Sequence, residues 1–301
     1  MQSQTARAVA TPFTTNGIML AVNNVSKVFG KHAVLRDVNF EIPNIHREGM
    51  EQGQVWSILG GSGKGKTTLC KIIAGLIEPT TGEVRVGKDN RPIEPGEVGF
   101  VFQNYLGFDH LTVRDYMTLS AYQGVYGPLH LKDIMKRQWA WWAKRGEFWD
   151  RASYYIDMFQ LTEHVDKYLS ELSGGQQQRA AIVSQILCSS RYIVFDEPFS
   201  SQDPEKKHKA CKTLIKVAQL DEKQTLLVIT HDIRGAVWVS DTLLPLGVEK
   251  DGEGREKPGS TVFQPYSLAE RGLAWRDESI LRTPEFNELV QEIEFEWFPN
   301  M

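Results

Sequence analysis

The chain has 301 residues, 41% hydrophobic and 24% charged, with a formal net charge of −4, which suits a soluble globular protein of one large or two ordinary domains. No run of about 18 apolar residues reads as a membrane span, and no basic block marks a nucleic-acid footprint. Three cysteines, Cys70, Cys188 and Cys211, are too few and too scattered for a disulfide framework or a zinc site, and they read as reduced residues on helix faces.

Residues 1–17 are rich in Thr, Ala and Gln and lack the apolar centre of a secretory signal, so they read as a flexible leader. Apolar or alternating stretches at 19–22, 34–42 and 55–59 predict strands. A short loop and a helix over 65–76 follow, then strands at 83–86 and 99–102. From 113 to 168 the pattern is helical and aromatic, with Trp139, Trp141, Trp142 and Trp149 inside it. A helix is predicted from Gln176 to just before Ser189. Strands at 192–195 and 225–229 bracket a helix over 205–220. Apolar strands alternating with helices imply a buried, mostly parallel sheet. The polar stretch 251–259, with Gly and Pro, reads as a loop. A terminal helix over 284–297 is capped by Thr283 and started by Pro284. It puts Phe286, Leu289, Val290, Ile293 and Trp297 on one face.

The run Gly60-Gly61-Ser62-Gly63-Lys64-Gly65-Lys66-Thr67 fits G-x-x-x-x-G-K-[ST] between an apolar strand and a helix. Such a loop converges backbone N–H groups on phosphate oxygens, and the helix N-terminus adds partial positive charge. Lys66 is the residue for the β- and γ-phosphates. Thr67 is a Mg²⁺ ligand, and Thr68 continues the nucleotide-binding set. The buried-strand pattern Tyr192-Ile193-Val194-Phe195 ends in Asp196-Glu197, with Pro198 stopping the strand there. Asp196 suits Mg²⁺, directly or through water, and Glu197 suits a general base that polarises water. Downstream of the loop, Leu172-Ser173-Gly174-Gly175-Gln176 forms a second phosphate nest: a serine, two glycines and a helix start. One nucleotide does not need two nests on one chain. Two copies arranged head to tail do.

With that pentapeptide the sequence resembles the ATP-binding cassette family, whose signature is LSGGQ, over roughly residues 20–246. The resemblance implies an α/β fold: a P-loop NTPase (RecA-like) core with a mostly parallel sheet, an antiparallel β subdomain and an inserted α-helical subdomain at about 104–172. The cassette would span 18–250 and a C-terminal extension 251–301. By the same likeness Phe29 stacks on adenine. Gln103 is the glutamine that senses Mg²⁺ and the transporter, counted with both the catalytic and the metal-binding residues. Ser200-Ser201-Gln202-Asp203 is the loop crossing to the partner subunit, and His231 is the switch histidine on the γ-phosphate. The implied ligands are ATP and Mg²⁺. The implied partners are a second copy or a homologous ATPase subunit, an integral membrane permease and an extracytoplasmic substrate-binding protein, with no nucleic acid. The implied place is the cytoplasmic face of the plasma (bacterial inner) membrane.

Two departures stand out: Gln202 replaces the family's usual leucine, and residues 43–53 lengthen the turn before the phosphate strand. The single cassette, the stretch 102–113 and Gln176-Gln177-Gln178-Arg179 resemble bacterial importer subunits. The tail around 268–275 and 283–286 resembles the nitrate, sulfonate and taurine group. A soluble cassette that remodels ribosomes or nucleic-acid complexes is the competing class. Single-cassette length and the absence of sustained heptads weigh against it. The tryptophan-rich stretch 139–149 has two readings: a partner-docking surface with Lys136, Arg137, Lys144 and Arg145 facing lipid headgroups, or extra core in an enlarged helical subdomain.

Overall fold

A computed structural model describes residues 13–47, 52–87, 89–94, 96–103, 108–126, 134–189, 191–200, 203–274 and 278–297, with the side chains of 134–143 left aside. In chain order the described elements begin with β1 (Phe13–Phe29), β2 (His32–Arg47), β3 (Gln54–Leu59), α1 (Lys66–Ile73), β4 (Thr81–Val86), β5 (Arg91–Pro92) and β6 (Val98–Val101). Then come α2 (Val113–Tyr126), α3 (Ile134–Met158), α4 (Gly174–Cys188), β7 (Tyr192–Asp196), α5 (Pro204–Ala218) and β8 (Thr225–Thr230). The last are α6 (Ile233–Val239), β9 (Thr242–Gly247), β10 (Thr261–Val262), β11 (Tyr266–Ser267) and α7 (Pro284–Glu292). The fold is α/β, and the chain divides into two compact units: residues up to 93 with those from 195 onward, and residues 94–194.

The first unit holds two sheets. In one, β3 lies between β8 and β9 and runs parallel to both, while the short β10 and β11 pair antiparallel with β9. Every residue of β3, β8 and β9 is buried. That accounts for their continuous rather than alternating apolar pattern. The other sheet is antiparallel in the order β2-β1-β4-β5.

Two expectations shift here. Strand β1 starts at Phe13, so residues 13–17 of the expected leader are strand, paired through Phe13↔Arg47, Thr14↔His46 and Thr15↔Ile45. These residues are largely exposed and polar, so no apolar signal marks them; cross-strand pairing makes the strand. Residues 43–47 are not a lengthened turn but the end of β2. Pro43 is tolerated because β2 is an edge strand and the ladder breaks register beside it.

Asp241, fully buried, ties several of these strands together. Its Oδ2 accepts from the Val55 N–H at 2.7 Å, its own N–H donates to Val55 O at 2.7 Å, and its carbonyl accepts from the Leu268 N–H at 2.8 Å. Its other carboxylate oxygen pairs with Arg47 at the end of β2. Burial pushes the Arg47 guanidinium below its usual range, and the Asp241 charge pulls it back up.

The second unit carries β6, the helices α2, α3 and α4, and β7 up to Val194. Tyr116 and Ser184 share a hydrogen bond of 2.8 Å between α2 and α4. Phe148 is buried against Tyr122 at 5.3 Å, edge to face. The Arg114 guanidinium lies 4.2 Å from the Trp149 ring centroid. Arg145 pairs with Asp115, so it is held by a carboxylate of its own unit rather than offered to headgroups. The side chains of Lys136, Arg137, Trp139, Trp141 and Trp142 lie outside the described residues.

Candidate functional site

Five side chains of the first unit meet beyond the C-terminal ends of β3, β7 and β8. The loop 60–65 leaves β3 and enters α1 at Gly65, which sits at φ 85° in the left-handed region. A Cβ there would fall 2.9 Å from Val34 Cγ1, and one at Gly60 would fall 2.3 Å from the Leu246 carbonyl oxygen. Gly65 therefore needs glycine for its left-handed turn, and Gly60 for its close approach to the Leu246 backbone. Lys66 is buried, and its Nζ donates to the carbonyls of Gly60 at 2.8 Å and Gly61 at 2.9 Å. Burial pushes this ammonium below its usual value, against the pull of Glu197 and Asp196.

Thr67 Oγ1 donates to Asp196 Oδ1 at 3.2 Å. Burial pushes the Asp196 carboxyl above its usual value, and the Thr67 hydroxyl bond opposes this. Glu197, the next residue, has φ 51°, a conformation uncommon for a residue with a Cβ. Its N–H donates to Ile229 O of β8 at 2.9 Å. Its carboxylate lies 3.9 Å from Lys66 Nζ through one oxygen and 2.9 Å from His231 Nδ1 through the other. The His231 N–H donates to that second oxygen at 3.3 Å. So Lys66, Thr67, Asp196, Glu197 and His231, distant in sequence, share one site. Ser62, Gly63, Lys64 and Thr68 belong to the same loop and helix start. Phe29 stands 52% exposed at the end of β1, with Lys27 Nζ 5.0 Å from its ring centroid.

The second unit holds the other site candidates. Gln103 is exposed just past β6. Ser173 caps α4 in a reciprocal box: its N–H donates to Gln176 Oε1 at 2.8 Å, while Gln176 Nε2 contacts His164 Nε2 at 2.7 Å. Among the described residues a Cβ on Gly174 would meet nothing, and one on Gly175 only the Arg179 guanidinium at 3.9 Å. Ser201 and Gln202 lie outside the described residues.

Sequence reading missed α6 and its cap. Asp232 Oδ1 accepts from the Gly235 N–H at 2.8 Å, and its other oxygen pairs with Lys207 of α5. An acid directly before an apolar helical run was the available signal.

The chain matches the ABC transporter family over residues 45–200, which includes the loop, the signature and the acid pair. The chain belongs to that family. It is 30% identical over 243 residues to a sulfate/thiosulfate import ATP-binding protein of Synechocystis, covering 79% of this chain and 61% of that one. It is 31% identical over 234 residues to a glutamate transport ATP-binding protein of Corynebacterium efficiens, covering 75% and 86%. Among solved structures it resembles a dimeric ATP-binding cassette in a post-hydrolysis state bound to ADP and phosphate. There the TM-score is 0.59 with 25% identity, over 83% of this chain and 99% of that one. As an ABC ATPase cassette it carries its family's chemistry, ATP binding and hydrolysis. Among the described residues no helix of this cassette is long and apolar enough to cross a membrane.

Proposed function

We propose that this ABC cassette hydrolyses ATP to drive import through a separate membrane permease, working as a head-to-tail dimer at the inner membrane face. One observation carries the reading: Glu197 lies 2.9 Å from His231 and 3.9 Å from Lys66, in the unit where Thr67 meets Asp196 at 3.2 Å. Lys66 and the loop amides hold the β- and γ-phosphates. Glu197 orients the attacking water and takes its proton, and His231 steadies the γ-phosphate beside it. Thr67 and Asp196 offer hard oxygens of the kind Mg²⁺ prefers, with Gln103 as a further oxygen donor. When bound there, Mg²⁺ neutralises phosphate charge. Phe29 stacks on adenine. Ser173, Gly174, Gly175 and Gln176 close on the partner's nucleotide.

The names of related proteins support import; they refer to sulfate, glutamate, Fe(3+) ions and spermidine or putrescine. For this chain we favour a small anion such as nitrate, a sulfonate or taurine, on the likeness of the C-terminal extension to that group rather than on these names. A substrate-binding protein acts through the permease. The test is a pull-down of tagged Glu197→Gln protein with ATP from detergent-solubilised membranes of the source cells. Recovery of a multi-spanning permease supports the reading, and the permease points to the substrate. Reproducible recovery of ribosomes or nucleic-acid proteins alone would overturn it.

A further inference from the structure

Residues 278–297 pack on the helix that follows His231. Phe286, Leu289, Val290 and Ile293 are buried, and Phe286 and Ile293 completely so. The polar part of this contact converges on Arg234, in the first turn of α6 and three residues past His231. Arg234 Nη1 donates to Asn287 Oδ1 at 3.1 Å, and Nη2 donates to the Leu281 carbonyl at 3.4 Å. Its guanidinium carbon lies 5.2 Å from the Phe286 ring centroid. No carboxylate among the described residues forms an ion pair with it. A guanidinium held by two oxygens and a ring face is fixed by its fork and plane, not by charge alone.

The same contact borders free volume. His231, Asp232 and Arg234 line a cavity of about 540 Å³ together with Leu281 and Glu294 of the extension. The start of α6 is also held by the Asp232 cap, by its pairing with Lys207 and by the Asp232 N–H, which donates to Thr230 Oγ1 at 3.0 Å. A loop beside a cavity can shift where a tightly packed one cannot.

We propose that Arg234 is a positioning residue for ATP hydrolysis: it fastens the C-terminal extension to α6 and so sets the placement of His231 against Glu197. This rests on the reading of His231 as a group that acts in hydrolysis. Arg234 touches no reacting atom. Its loss frees the His231 loop to move toward the cavity.

The test is steady-state ATP hydrolysis by the purified full chain, with thermal denaturation and ATP binding run alongside. Arg234→Ala should lower kcat about tenfold, since small misplacement of a catalytic group is costly. KM for ATP and ATP affinity should stay within about twofold, because Lys66 and the loop amides, which hold the phosphates, are left in place. Arg234→Lys, which keeps the charge but not the fork, should fail to restore kcat. Asn287→Leu alters the same contact from the extension side and should lower kcat too; it carries the test if Arg234→Ala does not fold. If folded Arg234→Ala turns over within twofold of the unmodified chain while His231→Ala is inactive, the positioning role is wrong and the His231 reading stands. If His231→Ala also turns over normally, the His231 reading falls and this inference falls with it.

Discussion

At Glu197 the backbone is left-handed, at φ 51°, in a residue that carries a Cβ. That conformation costs on the order of 1 kcal/mol or more for a residue other than glycine. The Ile229 carbonyl at 2.9 Å holds the turn in place, and the turn aims the carboxylate at His231 rather than along β7. Strain tolerated at a position that aims one carboxylate fits a base. Glu197→Gln keeps the shape and removes the proton acceptor, so turnover should fall about 10²–10⁴-fold while ATP binding persists. Single-turnover hydrolysis and a nucleotide-binding titration check the two halves. Lys66→Ala should do the reverse and weaken ATP binding itself, because this ammonium sits on the loop carbonyls of Gly60 and Gly61. Unchanged ATP affinity in that variant would remove Lys66 from the phosphate site.

Among elements, the buried strands were the most legible in sequence. Runs at 55–59, 192–195 and 225–229 became Gln54–Leu59, Tyr192–Asp196 and Thr225–Thr230, because strands buried on both faces show a continuous apolar pattern. The residues that meet at the candidate site stood out for a related reason: Asp196, Glu197 and His231 follow such strands directly, and Lys66 and Thr67 sit in fixed spacing. Elements held by pairing rather than by pattern were not readable. The first five residues of β1 show no apolar alternation, β9 contains Pro245, and α6, though its cap Asp232 marks its start, is too short to show a helical period. The Arg47–Asp241 pair was invisible for the same reason, since 194 positions separate its partners. Asp241→Asn keeps an acceptor for Val55 but strips one charge from the buried ion pair with Arg47. It should destabilise the chain by about 3–5 kcal/mol. Urea unfolding of the two proteins measures this, and a loss below about 1 kcal/mol would mean that water or another group already compensates Arg47.

At the scale of the whole molecule, the phosphate loop belongs to one unit and the signature to the other. Among the described residues of their own unit the signature glycines meet almost nothing: a Cβ on Gly174 would touch none of them. Yet the box between Ser173 and Gln176, backed by His164, holds this turn in one shape. A preformed nest left open by its own unit suits a ligand that arrives from outside that unit, and in a head-to-tail dimer that ligand is the partner's ATP. ATP can close such a dimer only if it binds the closed form better than the open one. Glu197→Gln, which holds ATP without spending it, should therefore run near twice 34.2 kDa with ATP and Mg²⁺ and as a monomer without them. Adding Ser173→Arg to that variant blocks the nest but leaves the loop intact. The double variant should bind ATP as well as Glu197→Gln does and stay monomeric. Light scattering on the eluting peak, read beside a nucleotide-binding titration, separates the cases. If Ser173→Arg abolishes ATP binding itself, the nest serves its own chain's nucleotide and the head-to-tail arrangement is wrong. If the double variant still dimerises with ATP, Ser173 does not lie at the dimer's nucleotide.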